Sequence, residues 1–397
     1  DLALDRNVAV VMDERAKRLD RFWFDNDLEG YKYFHNRLRK VKEKHQAPAL
    51  LVGMEPTNYF WKLLATDLEA RQVDYRLVNP YTVKKHREGD QLDRSKDDRR
   101  DAFVIADLLR TGKYTETRLL HGQYAELRQY VALRERLLRD IRRQKALVNN
   151  IAGQLFPELS REFKNMAGQT VLALLSSHAA ATVIQQLPLD VFINDVRSVF
   201  QGKRLMVSKL RRAYALADTS VGLKDGVQAL QLALDQYIET LEHLQRQLAQ
   251  TEEALMEVFL ALPEAKSMLS VPGLGVITAA TILSEIGDPS HYRQAKQLIK
   301  LAGIQPVPNA SGRKSRSKTP MSHKGRPRLR TALFFAAMRL VQFDDAFARR
   351  YQHLQTRDKN PLCKMQALGA LMNKLLRILW SLMRKHTLYV SDFQPTI

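Results

Sequence analysis

Asp98 and Asp101 stand three residues apart in the stretch SKDDRRDAFVIA, residues 95–106. A helix of 3.6 residues per turn brings side chains at that spacing onto one face. Like charges held side by side repel, so the pair calls for a cation between the carboxylates or for water around them. Arg94, Lys96, Arg99 and Arg100 are near enough to make this an ordinary neutralised, solvated face. The residues after Asp101 argue for the cation: Ala102, Val104, Ile105, Leu108 and Leu109 are apolar, so the pair stands where a buried helix face begins. A metal-binding helix end has this pattern.

Further carboxylates fall where strands would end. The run Ala49 to Gly53 is continuously apolar, the pattern of a strand buried on both faces, and Glu55 comes just after it. Sites in parallel sheets form at the carboxyl edge of the strands. The chain opens at Asp1 rather than at a methionine; the expectation is that a few natural residues precede it and complete a strand that Asp1 would end. Asp1, Glu55, Asp98 and Asp101 then make a candidate four-carboxylate cluster. Hard oxygen donors without His or Cys select Mg²⁺ or Mn²⁺. Two such ions can stabilise both the attacking and the leaving oxygen of a phosphoryl transfer.

The elements that must position these acids read as α/β over the first 112 or so residues. Arg6 to Asp13 and Lys17 to Phe24 are β-rich runs joined by a polar turn, which suits a hairpin. Helical spacing covers Glu29 to His45, a second helix Tyr59 to Ala70, and a strand Tyr75 to Val78 that Asn79-Pro80 stops. Strands alternating with helices predict a largely parallel central sheet.

Beyond it the chain turns helical. Gln123 to Leu155 is a long helix of roughly 45–50 Å, with Leu127, Val131, Leu138, Ile141, Val148, Ala152 and Leu155 on one stripe. Arg134, Arg136, Arg139, Arg142, Arg143 and Lys145 crowd its middle, either as a solubilising face or as a nucleic-acid contact. Residues 157–222 carry no motif, only broken helical patterns. From Val227 to Val258 the apolar spacing alternates three and four, a coiled-coil seam whose partner is the earlier helix, a second chain, or both. A self-associating protein is expected.

The last region holds a second candidate chemistry. Val271-Pro272-Gly273-Leu274-Gly275 resembles a helix-hairpin-helix turn, where Gly273 and Gly275 would expose backbone N–H groups to a phosphate. A plain structural turn has the same pattern. In residues 306–330 Arg313, Lys314, Arg316, Lys318, Lys324, Arg326, Arg328 and Arg330 face no acid, and the Gly, Pro and Ser content predicts a cationic loop that clamps nucleic acid. Ser311 lies in it. A serine hydroxyl needs a base, a metal or a cationic cradle to act as a nucleophile. Spacing alone does not single it out from Ser315, Ser317 or Ser322. Further helices complete the chain, including the apolar stripe of Lys364 to Arg384.

The totals bound the class. A chain of 397 residues holds two or three domains, and 63 Lys+Arg against 43 Asp+Glu give a net charge of +20. That balance points to nucleic acid, with an anionic membrane surface as the other polyanion. No apolar run is long enough to span a membrane, and a soluble protein is expected. Cys363 is the only cysteine, which excludes a disulfide framework within the chain; an inert buried thiol in a reducing compartment is expected.

Taken together, these motifs resemble the insertion-sequence one-hundred-ten family of DEDD transposases, described as bridge-RNA-guided recombinases. In the front part the resemblance rests on Asp1-Leu2-Ala3, Glu55-x-Thr57 with Tyr59, Phe60 and Trp61 after it, Asn79-Pro80, and Lys96-x-Asp98-x-x-Asp101-Ala102. In the back part it rests on Pro272-Gly273-Leu274-Gly275, Ala302-Gly303-Ile304-x-Pro306, Ser311-Gly312, and Ser322-x-Lys324-Gly325 with Leu329-Arg330. The resemblance implies an RNase-H/RuvC-like DEDD domain over 1–112, a helical, coiled-coil region over 113–262 and an α-helical transposase domain over 263–397. It implies that Asp1, Glu55, Asp98 and Asp101 bind metal and that Ser311 is the catalytic serine, forming a phosphoserine link to DNA. It also implies a structured guide RNA paired with donor and target double-stranded DNA, and a tetramer, a dimer of dimers, whose protomers share each site. The setting would be a prokaryotic cytoplasm, at the nucleoid. Asn58, Asp97 and His323 depart from the family pattern, at positions that bear on substrate fit. Two other readings stay open: a hydrolytic RuvC-like nuclease in which Ser311 only binds phosphate, and a non-enzymatic protein that bridges nucleic acids.

Overall fold

Alternation of buried and open side chains sets the first strands. In this computed structural model β1 (Arg6–Met12) pairs antiparallel with β2 (Arg18–Asp25), burying Val8, Phe22 and Phe24. Asp13 Oδ1 accepts the Arg15 and Lys17 N–H groups at 2.9 and 2.8 Å and closes the turn, so the expected hairpin is present. Asp27 caps α1 (Leu28–Lys44) by accepting the Gly30 N–H, and Phe34 and Leu38 bury its inner face. β3 (Val52–Met54), α2 (Phe60–Ala70) and β4 (Tyr75–Leu77) make a unit in which β3 and β4 run parallel. Pro80, at the start of α3 (Pro80–Asp90), does more than end a strand: Asn79 Oδ1 accepts the Tyr81 N–H at 2.9 Å and starts the helix. α4 (Asp98–Arg110) packs on β1, β3 and α3.

The expected largely parallel sheet is corrected here. The described strands of this region form two separate two-stranded sheets, one antiparallel and one parallel. Val8 gives its backbone N–H to Asp1 at 3.0 Å and accepts the Asp1 amino group at 2.8 Å, so Asp1, not β3, occupies the edge of β1 away from β2.

The structure describes all residues but 57, 91–97, 115–118, 308–309, 312–313, 316–319 and 392–397, and leaves aside the side chains of 87–90, 98, 310–311 and 314–315. It divides into two compact units, Asp1–Leu120 and His121–Ile397. The chain is mostly helical, with its small sheets concentrated at the N-terminus. Among the described residues no helix is long and apolar enough to cross a membrane.

The second unit is built on two 34-residue helices, α5 (Gly122–Leu155) and, later, α11. Between them come α6 (Leu159–Glu162), α7 (Gln169–His178), α8 (Ala181–Ile184), α9 (Leu189–Val199) and α10 (Val207–Ala217), short helices in the stretch where no sequence pattern stands out. α11 (Val227–Leu260) lies antiparallel on α5: Tyr124 near the start of one helix donates to Glu264 just past the end of the other, and Arg134 donates to Glu252. Val131, Ile141, Val148 and Leu155 meet this seam as the periodicity predicts, but Leu137 takes the buried place expected for Leu138. Along α11, Leu234, Leu241 and Leu255 are buried, while Tyr237, Leu244 and Leu248 stay half-exposed.

The remaining helices form one apolar core with the near end of the long pair. They are α12 (Ala265–Leu269), α13 (Val276–Ile286), α14 (Ala295–Ala302), α15 (Pro327–Phe343), α16 (Asp345–Thr356) and α17 (Lys364–Lys385). Cys363 corrects the buried-thiol expectation: it is exposed and serves as the N-cap of α17, in a reciprocal capping box with Gln366.

Candidate active site

The acids are delivered by three elements of the first unit. Asp1 is held beside β1 by its two backbone bonds to Val8, and its Oδ1 accepts the Leu2 N–H at 2.9 Å. Glu55 comes directly after β3, and Val78 donates to the Met54 carbonyl just before it. Asp101 lies in α4 and is only 5% exposed, at the start of the buried face made by Ala102, Val104, Ile105 and Leu108. Asp98 opens the same helix one turn earlier; its side chain lies outside the described residues, as do Thr57, Lys96 and Asp97.

These elements border a common space. A cavity of about 410 Å³ is lined by Asp1, by Gly53 and Met54 next to Glu55, and by Ala102 next to Asp101. Gly53 lets α4 cross close over β3, since a Cβ there would stand 3.0 Å from Leu109 Cδ2 and push that side chain aside. The donor set, carboxylate oxygens alone, suits a hard divalent cation. Among the described side chains, no three acids, histidines or cysteines gather closely enough to hold a metal. What the first unit shows is Asp1, and the residues next to Glu55 and Asp101, on the lining of one cavity.

α4 is fastened from its other end. Asp107 accepts from Arg110 at 2.6 Å and meets His86 of α3 at 3.1 Å. Burial pushes the Asp107 carboxyl up, but the Arg110 and His86 bonds and charges outweigh it and hold the group below its ordinary value.

Ser311 lies in the second unit, on a stretch whose composition predicts a loop and which instead forms a ladder. The Ser322 N–H donates to Gln305, Pro306 bridges to Met321, and the Val307 N–H donates to Pro320. Farther out, β5 (Ala310–Ser311) pairs antiparallel with β6 (Lys314–Ser315), placing Ser311 across from Lys314. Paired backbone groups, which composition does not reveal, make this stretch a β-arm. The Ser311 side chain, Gly312, Arg313, Arg316, Ser317 and Lys318 lie outside the described residues, and of Lys314 only the backbone is described.

The base of the arm explains two glycines. Gly303 has φ +66°, which glycine tolerates best, and a Cβ on Gly325 would stand 2.3 Å from the Gly303 nitrogen. The two strands of the arm thus leave the body with their backbones touching. Arg330 clasps this crossing through the Ala302 carbonyl at 3.0 Å, and Asn373 of α17 holds the Ile304 carbonyl at 3.0 Å.

Two of the cations unopposed along the sequence, Arg326 and Arg328, are opposed in space. Glu285, 4% exposed at the end of α13, meets Arg128 of α5 at 3.3 Å, Arg326 at 3.7 Å and Arg328 at 2.9 Å. Arg326 also donates to the Glu285 carbonyl, and Arg328 lies 2.8 Å from Glu135. Burial, with the charge of Arg128 beside it, pushes the Arg326 guanidinium below its ordinary pKa. Arg326, Arg328 and Arg330 therefore fasten the arm, whereas Lys324 is exposed. Sequence reasoning missed Glu285, although a signal existed: it is the one charged residue of the helix VITAATILSEI.

At the glycine turn, Gly273 has φ +74° and its missing side chain makes room for Phe343 and the Arg339 backbone. Gly275 is the N-cap of α13, with open space where a Cβ would be and no side chain capping the first turn.

A DEDD transposase model of IS110 type matches residues 1–157, and the model described as transposase IS116/IS110/IS902 family matches residues 265–352. The chain is 25% identical over 300 residues to the 43.6 kDa protein of insertion element IS110 from Streptomyces coelicolor, covering 75% of this chain and 73% of that one. It is 24% identical over 319 residues to the transposase for insertion sequence element IS1111A of Coxiella burnetii, covering 79% and 72%. The pilin gene-inverting protein of Moraxella bovis is 28% identical over 166 residues, 40% of this chain and 50% of that protein. The first match implies an RNase H-like fold for the region that carries the acids. Both matched regions fall in one order along one chain and together span well over half of it: the chain belongs to the IS110 family of transposases.

Proposed function

We propose that this enzyme, a transposase acting on DNA, cuts and rejoins double-stranded DNA by transesterification with Ser311 as nucleophile, Asp1, Glu55, Asp98 and Asp101 holding Mg²⁺ or Mn²⁺. The observation that carries the reading is the β-arm: it bears a serine opposite Lys314, and a buried ion cluster and two touching glycine backbones fasten its base. A nucleophile needs that kind of fixed mounting to meet a phosphorus in line.

The Ser311 oxygen forms a bond to a DNA phosphorus, the bond from that phosphorus to the 3′ oxygen breaks, and the hydroxyl proton ends on the released 3′-hydroxyl. A 3′-hydroxyl from the partner strand later attacks the phosphoserine link and returns a proton to Ser311. Divalent ions held by the carboxylates would stabilise charge on the nonbridging and leaving oxygens. Lys314 and Lys324 lie on or beside the arm and supply positive charge for the phosphate.

We read the guide as a structured RNA, the assembly as a dimer of dimers and the setting as the nucleoid of a prokaryotic cytoplasm. The net charge of +20 supports two nucleic-acid partners. The exposed N-terminus of α13 at Gly275 supports phosphate contact at a helix-hairpin-helix turn.

The test is a denaturing gel on suicide DNA substrates carrying a nick near the cleavage position. Wild type should leave a covalent protein–DNA band that Ser311→Ala and chelator both remove. Cutting without any such band would replace this mechanism with the hydrolytic nuclease.

A further inference from the structure

We propose that the groove between α5, α13 and α15 binds a single nucleic-acid strand, with Arg139 and Arg142 on its phosphates and Phe335 under one of its bases. The inference rests on the reading of the chain as a nucleic-acid enzyme and adds a site lined by none of Asp1, Glu55, Asp98, Asp101 or Ser311.

The groove is a cavity of about 660 Å³ inside the second unit. Arg134, Leu138, Arg139 and Arg142 of α5 form one wall, Ile277 and Thr278 of α13 another, and Thr331 and Phe335 of α15 the third. Two of its cations already have acids: Arg134 holds Glu252 at 2.7 Å, and Arg328 holds Glu135 and Glu285. Arg139 and Arg142 are exposed and meet no acid among the described residues. Three residues apart, they rise from the same helix face about 4.5 Å from each other along its axis.

The opposite wall is apolar at its lip. Phe335 is 55% exposed, its ring set edge-on against Phe334 with centroids 5.6 Å apart. A ligand that suits this groove carries repeated negative charge on one side and a flat apolar face on the other, and a nucleic-acid strand with an unstacked base has both. Exposed arginines beside an exposed ring suit the backbone of a single strand with one base laid on the ring, because stacking inside a duplex hides that face of the base. The first turn of α13, whose N–H groups lack helical acceptors, opens on the same space at Ile277 and Thr278. The burial pattern of α5 agrees: turning Leu137 rather than Leu138 into the core leaves Leu138 for the groove.

Fluorescence anisotropy of the full chain, in chelator and with labelled oligonucleotides of about ten residues, tests the site without any cleavage. Single-stranded DNA, single-stranded RNA and a blunt DNA duplex are the probes. The Arg139→Ala/Arg142→Ala double variant should weaken single-strand binding about tenfold or more and lower the salt slope by about one to two. Phe335→Ala should cost about tenfold, the size of one lost stacking contact. Arg136→Ala/Arg143→Ala, an equal charge loss on exposed α5 positions outside the groove, should change little. Tighter binding of the DNA or of the RNA strand identifies the occupant's source. Equal losses for both double variants, no loss for either, or the same arginine dependence with duplex preferred overturns the site. Normal adduct formation with unaltered strand binding by the groove variants defeats this site alone. Loss of binding without any adduct in wild type defeats only the serine mechanism.

Discussion

The acids of the first unit and the serine of the second are mounted by opposite means. Asp1, Glu55 and Asp101 sit at a strand edge, a strand end and a helix turn, each placed by the element it belongs to. Ser311 sits on an arm whose own strands are two residues long and whose position depends on Glu285, Arg326, Arg330 and Asn373, drawn from across the unit. Short-range order suffices in one case. In the other, a buried electrostatic knot does the work of a sheet.

Ser311→Ala and Asp101→Asn should each lower DNA joining about a thousandfold or more while leaving DNA binding intact. An assay that separates adduct formation from binding checks this, and a fully active Asp101→Asn protein would remove the acids from the reaction.

Next in size is the knot itself. Glu285→Ala leaves Arg128, Arg326 and Arg328 around a vacated buried site and should cost about 3–5 kcal/mol of the second unit's stability. Denaturant unfolding monitored by a probe in that unit should move, and one in the first unit should not. A loss no larger than that of an exposed ion pair would mean the arm has another anchor.

Gly325→Ala should have a smaller effect on stability. The added methyl meets the Gly303 nitrogen and the Leu301 carbonyl, so one strand of the arm must shift, at about 1–3 kcal/mol. Adduct formation should fall more than stability does, because the shift is delivered to Ser311.

The smallest expected effect tests the fastening of α4. Asp107 has its carboxyl pKa lowered from 3.8 in the folded chain, so its contribution is complete above that pH and fades as pH falls through the lower folded value. The stability gap between wild type and Asp107→Asn should stay constant above about pH 4 and close below it, as read by acid titration of circular dichroism. A gap that widened in acid would reverse the sign of the coupling.

Much of this was legible in the chain. Period-two and period-3.6 patterns place β1, β2, α1, α2, α5 and α11 within a few residues of where they form, because each element buries its own apolar face. The Asp98–Asp101 spacing and the apolar run behind it locate the start of a buried helix face. The β-arm was not legible: its ladder pairs Gln305 with Ser322 and Pro306 with Met321, and no local apolar pattern marks backbone pairing in a polar, proline-containing stretch. Nor was the role of Arg326, Arg328 and Arg330, whose partners are acids and carbonyls on distant helices or across the base of the arm.

By itself the sequence determined the charge of the molecule, the types of residue that can bind metal or attack phosphorus, and the helices and strands that carry them. Those come from composition and periodicity, which act over one or two turns of chain. The tertiary structure alone decided that two short sheets stand apart in the first unit, that Leu137 and not Leu138 turns inward, and that three arginines of a cationic stretch are committed to the fold. Each of these depends on which distant backbone or charged group arrives at the same place, and desolvation makes that encounter binding: a guanidinium or carboxylate taken out of water must find its partner wherever the fold supplies it.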